Sequence, residues 1–106
     1  TSMIAAIDNF NSIKATKKTV ILGDMFELGT DSLKEHQLIA DCISKLEFDH
    51  TILVGEIFYT TNTKNLIFKT QKDAFNHLKM IEIRNNHILI KGSRGMALEN
   101  LLKAIT

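Results

Sequence analysis

One cysteine, Cys42, stands in 106 residues, so no disulfide can form within the chain. Such a chain fits a reducing cytoplasm better than a disulfide-stapled secreted scaffold. Cys42 lies among Ile39, Ile43 and Leu46 at helical spacing, which reads as a buried thiol rather than a reactive nucleophile. No apolar run approaches the ~20 residues a membrane helix needs, and no signal peptide is visible. Nor is there a surplus of either charge: 13 Lys and Arg oppose 12 Asp and Glu, for a net charge of +1. The basic residues are scattered, with Lys14, Lys17 and Lys18 the only tight group, which argues against a nucleic-acid partner. Repeats, linkers and low-complexity stretches are lacking. Nothing matches the phosphate-cradling G-x-x-x-x-G-K-[ST], nor G-x-G-x-x-G after a strand. His50, His77 and His87 share no metal-ligand spacing with one another or with Cys42, so no metal site is expected. No nucleophile–base pair stands out either, and no residue is assigned a catalytic role.

What is present is a patterned α/β chain. With 44% apolar and 24% charged residues it reads as globular, and its length suits one domain over residues 1–106. Met3, Ala6, Ile7, Phe10 and Ile13 recur at helical spacing, predicting a helix over 2–15 with Ser2 as its N-cap. Thr19–Gly23 and Thr51–Gly55 are short apolar runs ending in glycine, the mark of strands covered on both faces. Leu66–Phe68 and Ile88–Ile90 read as two more strands, with a short helix or turn over 56–62. Ser32-Leu33-Lys34-Glu35 and Thr70-Gln71-Lys72-Asp73 are capping-box patterns. They head helices running to about Leu46 and through a stripe of Ala74, Phe75, Leu78 and Ile81. A last helix carries Leu98, Leu101, Leu102 and Ile105 on one face. Strands alternating with helices predict a Rossmann-like, mainly parallel sheet with helices on both faces. Ligands bind such sheets outside the carboxyl ends of the strands. The loops after residues 22, 54 and 90 should therefore share one functional edge, with Asp24 and Arg94 at the same end.

The richest of those loops is Lys91-Gly92-Ser93-Arg94-Gly95-Met96. Its glycines allow a sharp turn and close approach to a ligand, because glycine tolerates φ > 0. Arg94 between them can grip a carboxylate or phosphate through two parallel hydrogen bonds. Lys91, at the strand's end, can reach the same cleft. In Gly23-Asp24-Met25-Phe26-Glu27-Leu28-Gly29, Asp24 and Glu27 lie three residues apart. They either hold a cation ready, such as a substrate ammonium, or Asp24 caps backbone amides in the turn. Glu56 follows Gly55 equivalently, as a pocket acid or as a solvated first-turn carboxylate favoured by the helix dipole. His36, early in its helix, reads as a loop tether more than a catalyst. Together these residues describe half an active site.

Taken together, Gly23-Asp24-Met25-x-Glu27-Leu28-Gly29, Ser32, His36, Val54-Gly55-Glu56 and Lys91-Gly92-Ser93-Arg94-Gly95-Met96 with Glu99 resemble the C-terminal domain of the MurF family of Mur ligases. The resemblance covers the whole chain in order, and the two glycine-rich segments together are specific to this branch. Thr1-Ser2-Met3 is similar to the end of the family's Asn-Ala-Asn-Pro-x-Ser-Met entry to the domain. On that reading the family's N-terminal UDP-sugar domain and central ATPase domain lie outside this chain. The resemblance implies an ATP-dependent ligase of peptidoglycan synthesis that adds D-Ala-D-Ala to UDP-N-acetylmuramoyl-tripeptide. It implies ATP and magnesium bound mainly by the central domain, and Ser2 as a nucleotide contact. It further implies that the loops after residues 22, 54 and 90 line a pocket for the dipeptide and nucleotide. By charge, Lys91 and Arg94 would take a carboxylate or phosphate oxygen, with Arg94 foremost as a clamp for the dipeptide carboxylate and Ser93 as a further substrate-binding residue. Asp24, Glu27 or Glu56 would take the ammonium side. The alternatives are another Mur ligase or folylpolyglutamate synthase-type amide ligase, and a non-catalytic α/β module docking through Phe48, Ile57, Phe58 and Tyr59. A response-regulator receiver is disfavoured, since Gly55-Glu56 supplies no phosphoacceptor Asp after the central strand.

Overall fold

The computed structural model describes residues 2–26 and 28–105. In chain order the elements are α1 (Met3–Ser12), β1 (Lys18–Gly23), α2 (Ser32–Ser44), β2 (His50–Val54), α3 (Glu56–Tyr59), β3 (Leu66–Phe68), α4 (Gln71–Met80) and β4 (His87–Lys91). Three 3₁₀ segments complete the set, at Gly29–Asp31, Arg94–Met96 and Leu98–Ala104. All strand pairs are parallel, in the order β3-β2-β1-β4. The expected α/β sheet with helices on both faces is what forms.

Two cores explain why the strand runs are apolar throughout. Successive strand side chains point to opposite faces, so Val20, Leu22 and Leu53 meet Met3, Ile7, Phe10, Ile39, Ile43 and Phe58 from α1, α2 and α3. On the other face, Ile21, Ile52 and Val54 meet Ala74 and Leu78 of α4 with Leu98 and Leu101. Buried Thr19 keeps its polarity satisfied by donating its hydroxyl to Asn86 Oδ1 at 2.9 Å. The chain places β2 and β3 on one side of β1, then returns to lay β4 on the other. The strand order therefore reverses between β1 and β4, and the crevice beyond their carboxyl ends is the place such folds use for ligands.

Three local expectations are corrected. Ser32 does not cap α2: its backbone is already helical (φ −53°, ψ −50°) and its amide donates to Gly29. The preceding 3₁₀ turn thus carries the chain into α2, and the N-cap, Asp31, makes no side-chain capping bond. α1 ends at Ser12, where the hydroxyl bonds back to Asn9 and Ile13 turns extended. The terminal segment is 3₁₀ rather than α, and at three residues per turn Leu98 and Leu101 align inward. Leu102 consequently turns out, at 41% exposure. By contrast Ser2 caps α1 by accepting from the Ala5 amide, and Thr70 caps α4 by accepting from the Asp73 amide.

Leu53, fully buried in the central strand β2, should cost about 2–5 kcal/mol when truncated to alanine. Leu66→Ala on the half-exposed edge strand should cost about 0.5 kcal/mol or less. Urea unfolding of the two variants checks the contrast.

Candidate functional site

The loops after β1, β2 and β4 meet at one edge of the sheet, and Asp24 joins them. Its amide donates to Val54 at 3.1 Å, and its carbonyl accepts from the Ser93 amide at 3.0 Å. Its carboxylate, only 3% exposed, accepts from the amides of Ile57 and Phe58, each at 2.9 Å. Those amides are the unpaired donors at the start of α3, which a carboxylate satisfies best. Asp24 therefore acts as a cap, though for α3 amides 33 and 34 residues along and not for the amides of its own turn that the sequence suggested. Both its oxygens are engaged inside the protein, so it is not a free anion for a substrate ammonium.

Gly55 makes this possible. It adopts φ 132°, a left-handed region hostile to side chains, and a Cβ there would collide with the Asp24 carboxylate. The glycines around Arg94 work differently from expectation, because neither Gly92 nor Gly95 has positive φ. Gly92 is required for space: its Cβ would lie 2.8 Å from Leu98 Cδ1 and 3.0 Å from Gly23 Cα. The positive φ in this region belongs instead to Ala97, at 47°.

His36 is fully buried and tethers the first loop. Nε2 accepts from the Met25 amide at 3.0 Å, while Nδ1 lies 2.6 Å from the Ser32 carbonyl. That pattern assigns the proton to Nδ1, which donates to Ser32. The ring also packs edge-on against Phe58, with centroids 4.7 Å apart. One residue on, the Phe26 amide donates to Ser93 Oγ at 2.6 Å. Consecutive amides of the first loop are thus held by α2 on one side and by the last loop on the other. Gln71, which the sequence marks only as part of a capping box, donates from α4 to the Met96 carbonyl and steadies the far end of that loop.

Lys91, Gly92 and Ser93 form a ridge between two clefts. The first, about 320 Å³, opens on the α1–α2 side, where Met25, Leu28, Glu35 and Ser2 join the ridge. The second, about 370 Å³, opens on the other side among Arg94, Leu98, Glu99 and Leu102. Lys91 and Ser93 reach both, whereas Arg94 lines only the second. Arg94 and Glu56 are exposed. Glu56 sits at the first position of α3, beside the Asp24 cap and in neither cleft. Glu27 lies outside the described residues. Ser2 borders the first cleft, its oxygen already accepting from Ala5. Glu35 lines the first cleft, and its sequence context marks it only as the end of a capping box. Among the described residues, no group of three His, Cys, Asp or Glu could hold a metal ion. None of their helices is long and apolar enough to cross a membrane.

Asp24→Ala should destabilise the protein by about 1.5–3 kcal/mol, since it orphans one buried and one half-buried amide that bond to a charge. Thermal unfolding tests the magnitude, with Glu56→Ala nearly neutral alongside it. A cost for Asp24→Ala no larger than that of Glu56→Ala would remove Asp24 from its place as the joint of the three loops.

No protein-family model matches the chain. It is 31% identical over 109 residues to the UDP-N-acetylmuramoyl-tripeptide–D-alanyl-D-alanine ligase of Rickettsia prowazekii (strain Madrid E), covering 95% of this chain and 24% of that protein. It is likewise 31% identical over 113 residues to the same-named ligase of Bacillus subtilis (strain 168), covering 97% of this chain and 25% of that one. A crystal structure of MurF from Acinetobacter baumannii superposes with a TM-score of 0.77 at 29% identity, over 96% of this chain and 24% of the other. The chain thus spans about a quarter of the length of the relatives it matches. Sequence and fold agree over nearly its whole length, and the match falls on the C-terminal quarter of these ligases, which supports a MurF C-terminal domain.

Proposed function

We propose that this chain serves as the substrate-binding C-terminal domain of an ATP-dependent ligase adding D-Ala-D-Ala to UDP-N-acetylmuramoyl-tripeptide in peptidoglycan synthesis. The observation that carries the reading is the double cleft at the point where the strand order reverses, with Lys91 on its ridge and Arg94 beside it. The names of the relatives supply the substrates. In such a ligase ATP phosphorylates the tripeptide carboxylate, and the dipeptide amine attacks the resulting acyl phosphate. That reaction places an anion-rich centre against the domain holding the amine. A preorganised set of cationic and hydroxyl groups suits it, because oriented dipoles stabilise developing charge without reorganising.

ATP and magnesium belong mainly to other parts of the full-length protein, since this chain has no phosphate-binding glycine loop. The chemistry, the presentation of UDP-N-acetylmuramoyl-tripeptide and a cytoplasmic setting belong to the same reading. Within the chain, Lys91 and Ser93 face both clefts, and Arg94 takes a phosphate oxygen in the second. The other use of Arg94, as a clamp for the dipeptide carboxylate, would place the dipeptide in that second cleft instead. Ser2 lines only the first cleft, across the ridge from that phosphate oxygen, so its position lends no support to a nucleotide contact. Asp24 is left to hold the loops together, and Glu56 remains a solvated first-turn acid.

The 106-residue chain alone should show no ATP turnover above an Arg94→Ala control in a phosphate-release assay. In the full-length protein, Arg94→Lys keeps the charge and loses the two-pronged geometry. The ATP KM should rise roughly 10-fold or more, the scale of one charge-assisted hydrogen bond. The dipeptide KM should move much less. A rise confined to the dipeptide KM would return Arg94 to the carboxylate.

A further inference from the structure

Of the four histidines, His36 alone is fully buried. Its ring lies where three segments meet: α2, which carries it, the first loop, whose Met25 amide it accepts, and α3, whose Phe58 packs against it. Nδ1 is committed to the Ser32 carbonyl one turn earlier in the same helix, at 2.6 Å. The bond from Met25, at 3.0 Å, therefore exists only while Nε2 keeps its lone pair. Imidazole is the side chain whose charge ordinarily changes across the physiological pH range. A proton added to this ring goes to Nε2.

That proton would turn Nε2 into a donor facing a second donor, and two N–H groups cannot share a hydrogen bond. Met25 must then leave the ring. The charged ring has another partner in the same loop, because Asp24 Oδ1 lies 3.9 Å from Nε2. With the neutral ring this contact is not an ion pair, since the imidazole carries no charge. Bringing the two atoms to hydrogen-bond distance takes a shift of about 1 Å. Oδ1 already accepts from the Phe58 amide, and a carboxylate oxygen can accept a second donor. Among the described residues, Asp24 is the one carboxylate within 4.0 Å of the ring. Glu35 of α2 and Glu56 of α3 are exposed, and α3 turns the ring of Phe58 toward His36. From the β4 side, Lys91 lines the first cleft with Met25, and Ser93 offers a hydroxyl to the next amide.

We propose that His36 is a proton-sensitive latch on the first loop. Neutral, the ring holds the Met25 amide and keeps the loop closed against α2. Charged, it releases Met25 and pairs with Asp24, which loosens one wall of the first cleft, where Met25 stands. The change stays local. Phe26 remains on Ser93 Oγ, the Ile57 amide remains on Asp24 Oδ2, and the Asp24 backbone keeps its bonds to Val54 and Ser93. The latch does not depend on the ligase reading, because it concerns the loop and not what the loop binds.

An NMR titration of the full chain, residues 1–106, tests this by following the His36 ring nitrogens and the backbone amides together. The neutral ring should carry its proton on Nδ1. On acidification the Met25 amide signal should move along the same curve as the His36 ring. Its solvent exchange, corrected for the intrinsic effect of pH, should quicken about 10-fold, the scale of one lost hydrogen bond. The amides of Ile21 and Leu53, deep in the sheet, should exchange as before. His36→Gln offers an oxygen in place of Nε2 and does not titrate, so its Met25 amide should stay protected throughout. A pH response at Met25 that persists in this variant would assign the effect to Asp24 and overturn the latch. Should the variant fail to fold, the wild-type chain decides alone. The latch is overturned by a neutral ring protonated on Nε2, or by a ring that titrates without moving Met25. It is equally overturned if the ring stays neutral until the whole chain unfolds, or if the chain unfolds as the ring titrates.

Discussion

A carboxylate buried where three loops converge is the constraint on which the functional edge depends. Asp24 is 3% exposed, and a charge in that position is tolerated only when its oxygens are bonded. The two α3 amides supply those bonds, so α3 is a cap for Asp24 as much as Asp24 is a cap for α3. This reciprocal need fixes the loop after β2 against the loop after β1. The backbone of the same residue bonds to Val54 and Ser93, drawing in the ends of β2 and β4. A four-residue helix has too few internal bonds to stand alone, and here it is held from outside.

The neighbouring residues extend the same logic. His36 and Ser93 each spend a side-chain acceptor on one amide of the first loop, from opposite sides. Gly55 and Gly92 make room for these approaches, one beside the Asp24 carboxylate and the other against Gly23 and Leu98. Such over-determined loops lose little freedom when a ligand binds, which is the general advantage of preorganisation. The side chains left uncommitted are the ones facing the clefts: Lys91, Arg94 and Glu35. Division of labour is therefore clear within a few residues of chain. Asp24, His36 and the Ser93 oxygen hold the edge together, while Lys91, Arg94 and Glu35 have no ion-pair partner among the described residues.

The strand order gives those charges their separation. Because β4 lies beside β1, the last loop stands as a ridge with a cleft on each side. α1 and α2 wall one cleft, and the terminal 3₁₀ segment walls the other. A single loop can then face two ligands of different chemistry.

The apolar runs Val20–Leu22 and Ile52–Val54 determined by themselves that there would be a parallel sheet with helices on both faces. Strands apolar at every position can be satisfied only by two covers. The glycine-rich segments likewise placed the functional loops at one edge, because parallel strands present all their carboxyl ends together. Capping by Ser2 and Thr70 was legible, being a local contact over three residues. What Asp24 does was not, since its partners lie 33 and 34 residues away and a free acid and a buried cap share one letter. Nor could sequence show that Ser32 enters already helical, that Gly92 serves packing rather than a left-handed turn, or that Glu35 shares a groove with Lys91. Those outcomes depend on which side of the sheet each neighbouring segment packs, and only the assembled tertiary structure decides that.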